Sequence, residues 1–239
     1  MTPSAFGQRL QRHEPWFIQF LVATLLPILV MPFTNLEGNA LQRLLLPLST
    51  LWLAVIAMRI MPLDVLRLGR WKPFTLYRPL ALLCVAVMWL PFVLGHHASH
   101  HWHLPILAII SGFYLATVTG VVLILGQVTR VNEAVLCLGA AGYVHLGLTG
   151  GQLATALEVM QPGSFSLGRM LPGEELVERL SYFSFVTLGT LGYGDVLPAT
   201  ALAESFAVLL SVTATLYITL VIGLLLSRYI SSVSIDESR

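Results

Sequence analysis

The segment Thr187–Pro198, TLGTLGYGDVLP, sets Gly192 and Gly194 on either side of Tyr193 and follows them with Asp195. Residues of these types at this spacing offer main-chain chemistry. Glycine adopts left-handed dihedrals at little steric cost. A ribbon that alternates left- and right-handed dihedrals turns successive carbonyls to one side. Such a row of oxygens can replace the water shell of a cation. The replacement matters where water is scarce, since a bare ion entering a low-dielectric slab faces a cost of order 20 kcal/mol. Asp195, beside that row, is either an acid that gathers cations through its field or a solvated turn residue.

The surroundings are of that dry kind. The chain has 239 residues, 56% of them hydrophobic and 10% charged, whereas a soluble domain carries about a quarter charged residues. That places it in the membrane class. A formal net charge of +1 says nothing about partners, and no nucleic-acid partner is expected. Cys84 and Cys137 lie inside apolar runs and read as small core residues. The run from Trp16 to Phe33 reads as a retained first span and not a secretory signal. A bilayer core takes about 20 apolar residues per helix. Candidate spans fall at 16–34, 43–62, 78–95, 104–127, 133–156 and 199–228. Segment 157–198 is too polar and glycine-rich to cross, yet 176–191 is apolar and helix-compatible, so a short helix that enters and turns back is expected there. Arg9 and Arg12, then Arg67, Arg70, Lys72 and Arg78, then Arg130 and Arg228 mark alternate loops, which puts both termini in the cytoplasm. The preference for arginine over lysine points to a GC-rich bacterial genome, hence a bacterial inner membrane.

With a span on each side and an apolar helix leading in, Thr190-Leu191-Gly192-Tyr193-Gly194-Asp195 resembles the filter signature of the tetrameric pore-loop potassium channels. The approach Tyr182-Phe183-Ser184-Phe185-Val186-Thr187 and the following Pro198 extend the resemblance, which covers about 133–228. It implies an all-α membrane protein with six transmembrane helices. A re-entrant pore helix and selectivity filter would lie between the fifth and sixth, and the pore would be tetrameric. The chain then divides into a cytoplasmic segment 1–15, a four-helix region 16–130, a pore region 131–230 and a short tail 231–239. The implied activity is passive conduction of K+, with no reaction catalysed and no cofactor, in a homotetramer embedded in the lipid bilayer. By the same resemblance, Thr190, Leu191, Gly192, Tyr193 and Gly194 form the ion sites, with the Thr190 hydroxyl adding one oxygen. Asp195 stands at the outer mouth and bonds an aromatic of the pore helix, for which Tyr182 has a hydroxyl. Tyr182, Phe183 and Phe185 are placed to form a cuff that supports the filter. The pore helix is expected from Glu174 or Glu175 to Leu188, after the Pro172–Gly173 break, with its acids at the positive end of the macrodipole. Gly189 departs from the family, which carries a side chain beside the filter. Weaker selectivity, as in a less selective monovalent cation channel, is the expectation that follows.

Other residues bear on packing and control. The fifth span carries Gly139, Gly142, Gly147, Gly150 and Gly151, including the small-xxx-small pair Gly147/Gly151, and is read as the outer helix packed on the inner one. Ser211, Thr215 and Thr219 share one face of the last span, where they either line a water-filled cavity or bond their own backbone. The middle of that span is Thr213-Ala214-Thr215; Gly223 lies nearer its cytoplasmic end, and the position of a bend stays open. The fourth span has no cation before Arg130, so strong voltage sensing is not expected. His96, His97, His100, His101 and His103 form an outside loop with spacing suited to Zn2+ or another divalent ion, or to titration near neutral pH. A membrane metal or pH sensor built on that loop is the rival reading from another class. His145 reads as a packing residue, and Arg59 as a side chain reaching for the interface.

Overall fold

A computed structural model describes residues 14–34, 40–61, 76–94, 103–128, 131–170 and 174–237. Nearly all of it is helical. Four helices come first: α1 (Glu14–Thr34), α2 (Ala40–Ile60), α3 (Tyr77–Leu94) and α4 (His103–Gln127). They are followed by α5 (Glu133–Met160), the short α6 (Leu176–Leu188) and α7 (Ala201–Leu216). A π-helical turn, Tyr217–Ile222, carries α7 on into α8 (Gly223–Glu237). Among the described residues, the segments Pro105–Gln127, Glu133–Met160 and Ala201–Ser231 are long and apolar enough to cross a membrane. The apolar stretches of the first three helices, Glu14–Val30, Pro47–Ile60 and Tyr77–Trp89, are shorter. The chain is an integral membrane protein on this pattern.

Local chemistry fixes the helix starts. The Asn132 side chain accepts the Val135 N–H at 3.1 Å and caps α5. Thr200 Oγ1 accepts the Ala203 N–H at 3.3 Å and caps α7. Glu178 reaches back to the Glu175 N–H at 3.2 Å, satisfying a donor that the first turn of α6 leaves free. Pro47 sits inside α2, and there the Thr50 hydroxyl donates to its carbonyl at 2.9 Å.

α1 and α4 pack on α5, while α2 packs on α1 and α3, and α3 on α4, so the first four helices join α5 through α1 and α4. Phe17, Phe20, Leu53, Ile60, Phe113 and Leu138 fill the shared core. Tyr77 Oη and Thr117 Oγ1 share a buried hydrogen bond at 2.9 Å. The Arg59 guanidinium lies 4.9 Å from the ring centroid of Trp16, so its charge is held over an aromatic face. His145 is buried between Tyr114 and Phe20, with ring centroids 5.0 and 5.8 Å away, which fits a packing role.

The glycines of α5 serve two neighbours. A Cβ at Gly142 would lie 2.2 Å from Tyr217 Oη, and one at Gly139 2.8 Å from Leu225 Cδ1, so this end of α5 meets the last helix. A Cβ at Gly147 would lie 2.2 Å from the Phe185 ring, and one at Gly151 2.6 Å from Ser181 Cα. Gly139 and Gly142 thus meet the last helix, as the sequence reading has it, whereas the Gly147/Gly151 pair receives α6. Ser184, fully buried, donates to the Gly147 carbonyl at 2.8 Å and locks that seat.

Beyond α5 the chain folds back through β1 (Phe165–Ser166), which pairs antiparallel with β2 (Leu197–Pro198), Phe165 opposite Pro198. Both carboxylate oxygens of Glu158 accept main-chain donors of this turn, from Gly163 and Phe165, each at 2.8 Å. α6 and the loop after it thus hang between α5 behind and β1 above.

Candidate functional site

The loop between α6 and β2 has its main-chain conformation set residue by residue. Thr190, Gly192 and Gly194 take φ of 57°, 57° and 76°, while Leu191 and Tyr193 do not enter the positive region. Positive φ thus recurs at every second residue. The glycines adopt it freely, whereas a β-branched residue there is an outlier. Thr190 is the only non-glycine residue with positive φ among the described residues.

The amide donors at the start of the loop are taken up by the last turn of α6. Gly189 N bonds Phe185 O at 2.9 Å, Thr190 N bonds Thr187 O at 3.1 Å and Leu191 N bonds Val186 O at 3.0 Å. Tyr143, from α5, donates its hydroxyl to the Leu188 carbonyl at 2.9 Å. Helix-end carbonyls that would otherwise be orphaned are thereby satisfied. The carbonyls of Thr190, Leu191, Gly192 and Tyr193 accept no hydrogen bond among the described residues, and residues 189–195 are all exposed. The loop therefore presents unpartnered oxygens along an open edge.

On the return limb Val196 turns inward and is buried with Phe165, Leu180, Phe183 and Ala203. Asp195 stays outside the core, and its Oδ2 lies 3.4 Å from Arg179 Nη2. The same guanidinium lies 5.3 Å from the centroid of the Tyr182 ring. Of the expected aromatic cuff, Tyr182 alone reaches the loop's outer end. Phe183 turns into its own chain, 5.2 Å from Phe165, and Phe185 lies on Gly147. Both aromatics hold α6 from behind. Tyr193 is 66% exposed in the single chain. At the start of α6, burial and then the neighbouring Glu178 carboxylate raise the Glu175 carboxyl above its ordinary value.

Along the last helix Thr215 donates to the Ser211 carbonyl at 3.0 Å, and Thr219 to the Thr215 carbonyl at 2.8 Å. Thr215 and Thr219 are exposed and Ser211 half-buried, so the hydroxyl row bonds its own backbone while facing away from this chain's core. At the far end Arg228 Nη1 donates to the Val128 carbonyl, tying α8 to the end of α4. His96, His97, His100 and His101 lie outside the described residues; His103 begins α4. No group of three or more metal-ligating side chains occurs among the described residues.

Sequence reasoning missed Arg179 and Tyr143 as neighbours of this loop, and Thr190 as a third left-handed residue. Arg179, the one cation within the largely apolar 176–191, was the available signal for the first. Compared with known proteins, residues 170–231 match a family model described as "Ion channel". That match spans α6, the loop and most of the last helix. None of the curated proteins and none of the solved structures matches the chain.

Proposed function

We propose that this chain is one subunit of a homotetrameric, potassium-selective channel that conducts K+ passively across a bacterial inner membrane, with both termini cytoplasmic. The observation that carries this reading is the alternation of positive φ at Thr190, Gly192 and Gly194, with unpartnered carbonyls between and beside them. Oxygens so arranged suit a cation that must shed water. One ribbon cannot surround an ion, so four copies are required. The last helix supports assembly: only 22% of its apolar window is buried within the chain, against 67% for α5. Leu202, Val208, Leu209, Val212 and Leu216 are left for neighbours or lipid. The six long helices are read as six spans, and α6 as a re-entrant helix whose negative end faces the membrane centre. Conduction makes and breaks no covalent bond, and the ion-channel match agrees with a protein that is not an enzyme. α4 carries no charged residue through Gln127, so gating charge is not expected there.

The test is flux from liposomes holding the purified protein. Potassium should leave down its gradient, be blocked by barium and stop in Gly192→Val. A Cβ at Gly192 meets nothing within 4 Å in the chain, but its φ of 57° strains any residue with a Cβ, so the substitution acts on the backbone of the strip itself. Protein that is monomeric in lipid and passes no current overturns the proposal.

A less selective cation channel on the same scaffold is favoured by one observation. A Cβ at Gly189 would find Phe185 O at 3.1 Å and Leu191 Cγ at 3.7 Å, so the strip lacks a buttress that a side chain would supply. Reversal potentials in mixed sodium and potassium separate the two readings.

A further inference from the structure

The sequence leads one to expect Asp195 at the outer mouth, gathering cations and bonded to an aromatic of the pore helix. In the structure a cation, Arg179, lies beside it. Arg179 projects from α6, and its side chain is 13% exposed against 39% for Asp195. Its Nε donates to the Leu167 carbonyl at 2.9 Å, and its Nη2 to Asp195 Oδ2 at 3.4 Å. The guanidinium carbon lies 5.3 Å from the centroid of the Tyr182 ring. One planar group thus joins α6, the segment after β1 and the return limb of the loop. Gly168 makes room for this: it holds φ of 60°, and a Cβ there would lie 2.3 Å from the Asp195 carbonyl oxygen and 3.3 Å from Arg179 Nη2. A lysine could supply the charge but not two donors in a fixed fork.

We propose that Arg179 is the positioning residue of the conduction strip, holding Asp195 against the post-β1 segment and offsetting its formal charge at the outer mouth. This rests on the channel reading above. It has two separable consequences. The electrostatic one is that cations at the mouth meet paired acids. The mechanical one is that the outer end of the strip is tethered to structure behind it, which stabilises the conducting conformation.

The test is single-channel recording of the full chain reconstituted in planar bilayers, with barium titrated on the side facing the loop. The variants are Arg179→Gln, Arg179→Lys, Asp195→Asn and the double variant Arg179→Gln/Asp195→Asn. Removing four positive charges about 10 Å from a divalent ion in physiological salt should tighten barium block by about fivefold. Asp195→Asn should loosen it by a similar factor, and the double variant should return near the wild-type value. Open times should shorten by about fivefold in either single variant. In the double variant they should be no shorter than in the worse single, because both act through one contact. Arg179→Lys should leave barium block unchanged but open times short, a split that a bystander charge would not give. The proposal is overturned if Arg179→Gln leaves block and open times unchanged, if the single-variant losses multiply in the double, or if lysine restores open times fully. A wild-type protein without potassium current removes the channel reading and this inference together. A conducting wild type with indifferent Arg179 variants removes this inference alone.

Discussion

Gly151→Ala should separate α5 from α6, and its cost can be worked from the contact itself. The new methyl would lie 2.6 Å from Ser181 Cα and 2.4 Å from Ser181 Oγ. Carbon atoms rest at about 3.5–4.0 Å, so the deficit is about 1 Å. The hydroxyl can rotate away, but the Cα belongs to a helix backbone, and relief requires the two helices to part. Overpacking of this kind costs about 1–3 kcal/mol. Alanine also favours helix over glycine by about 1 kcal/mol, which masks part of the loss. Gly126→Ala in α4 supplies the control: a Cβ there meets nothing within 4 Å, so it carries the helix gain without the clash. The difference between the two variants isolates the clash, about 1–3 kcal/mol, or several degrees in Tm for a chain of this size. The assay is thermal unfolding of the purified protein in one detergent, followed by tryptophan fluorescence, with potassium flux in parallel. Gly151→Ala should melt lower and conduct less, because the shifted helix carries the strip. Melting of Gly151→Ala at or above Gly126→Ala would refute the reasoning.

Three further outcomes follow from single contacts. Tyr217→Phe removes the hydroxyl bond to the Gly139 carbonyl, made at 2.8 Å; it should cost about 0.6 kcal/mol, as membrane side-chain bonds do on average, and raise hydrogen exchange over 217–222. Asn132→Ala removes the cap of α5 and should lower stability by about 1 kcal/mol, while Asn132→Asp should retain most of it, read by the same thermal assay. Glu175 has a folded pKa raised above its ordinary 4.5 by burial and by Glu178, so its contribution is present below that value and lost as pH rises through the folded pKa. Glu175→Gln should flatten the fall in Tm across that window, and an unchanged pH profile would count against the shift.

The helices were legible because apolar run length leaves little choice in a bilayer. The observed ends of α3, α4 and the start of α5 fall within a residue of the expected spans. The left-handed residues were legible where glycine advertises them, at 192 and 194. Thr190 was not, because threonine takes φ of 57° only when the surrounding structure forces it. Small residues in α5 announced a close approach without naming the visitor. Gly147 and Gly151 receive α6 because Phe185 and Ser181 sit on its facing side, a fact that emerges only once the chain has doubled back. Arg179 and Asp195 meet for the same reason: the β1–β2 pairing returns the loop alongside α6, and no local pattern encodes that meeting. The hydroxyls of Thr215 and Thr219 allowed two readings, and the structure shows the bonds to their own backbone.

The π-helical turn at Tyr217–Ile222 has a mechanical corollary. It winds more residues into its turn than an α-helix of equal rise holds. Each residue of an α-helix advances about 100° around the axis. Ironing the surplus residue out would turn Gly223–Glu237 by about that angle and lengthen the helix by about 1.5 Å while Ala201–Leu216 stayed seated. Such a change would alter the face that the segment after the π turn shows its neighbours, at about 1.5 Å of added length.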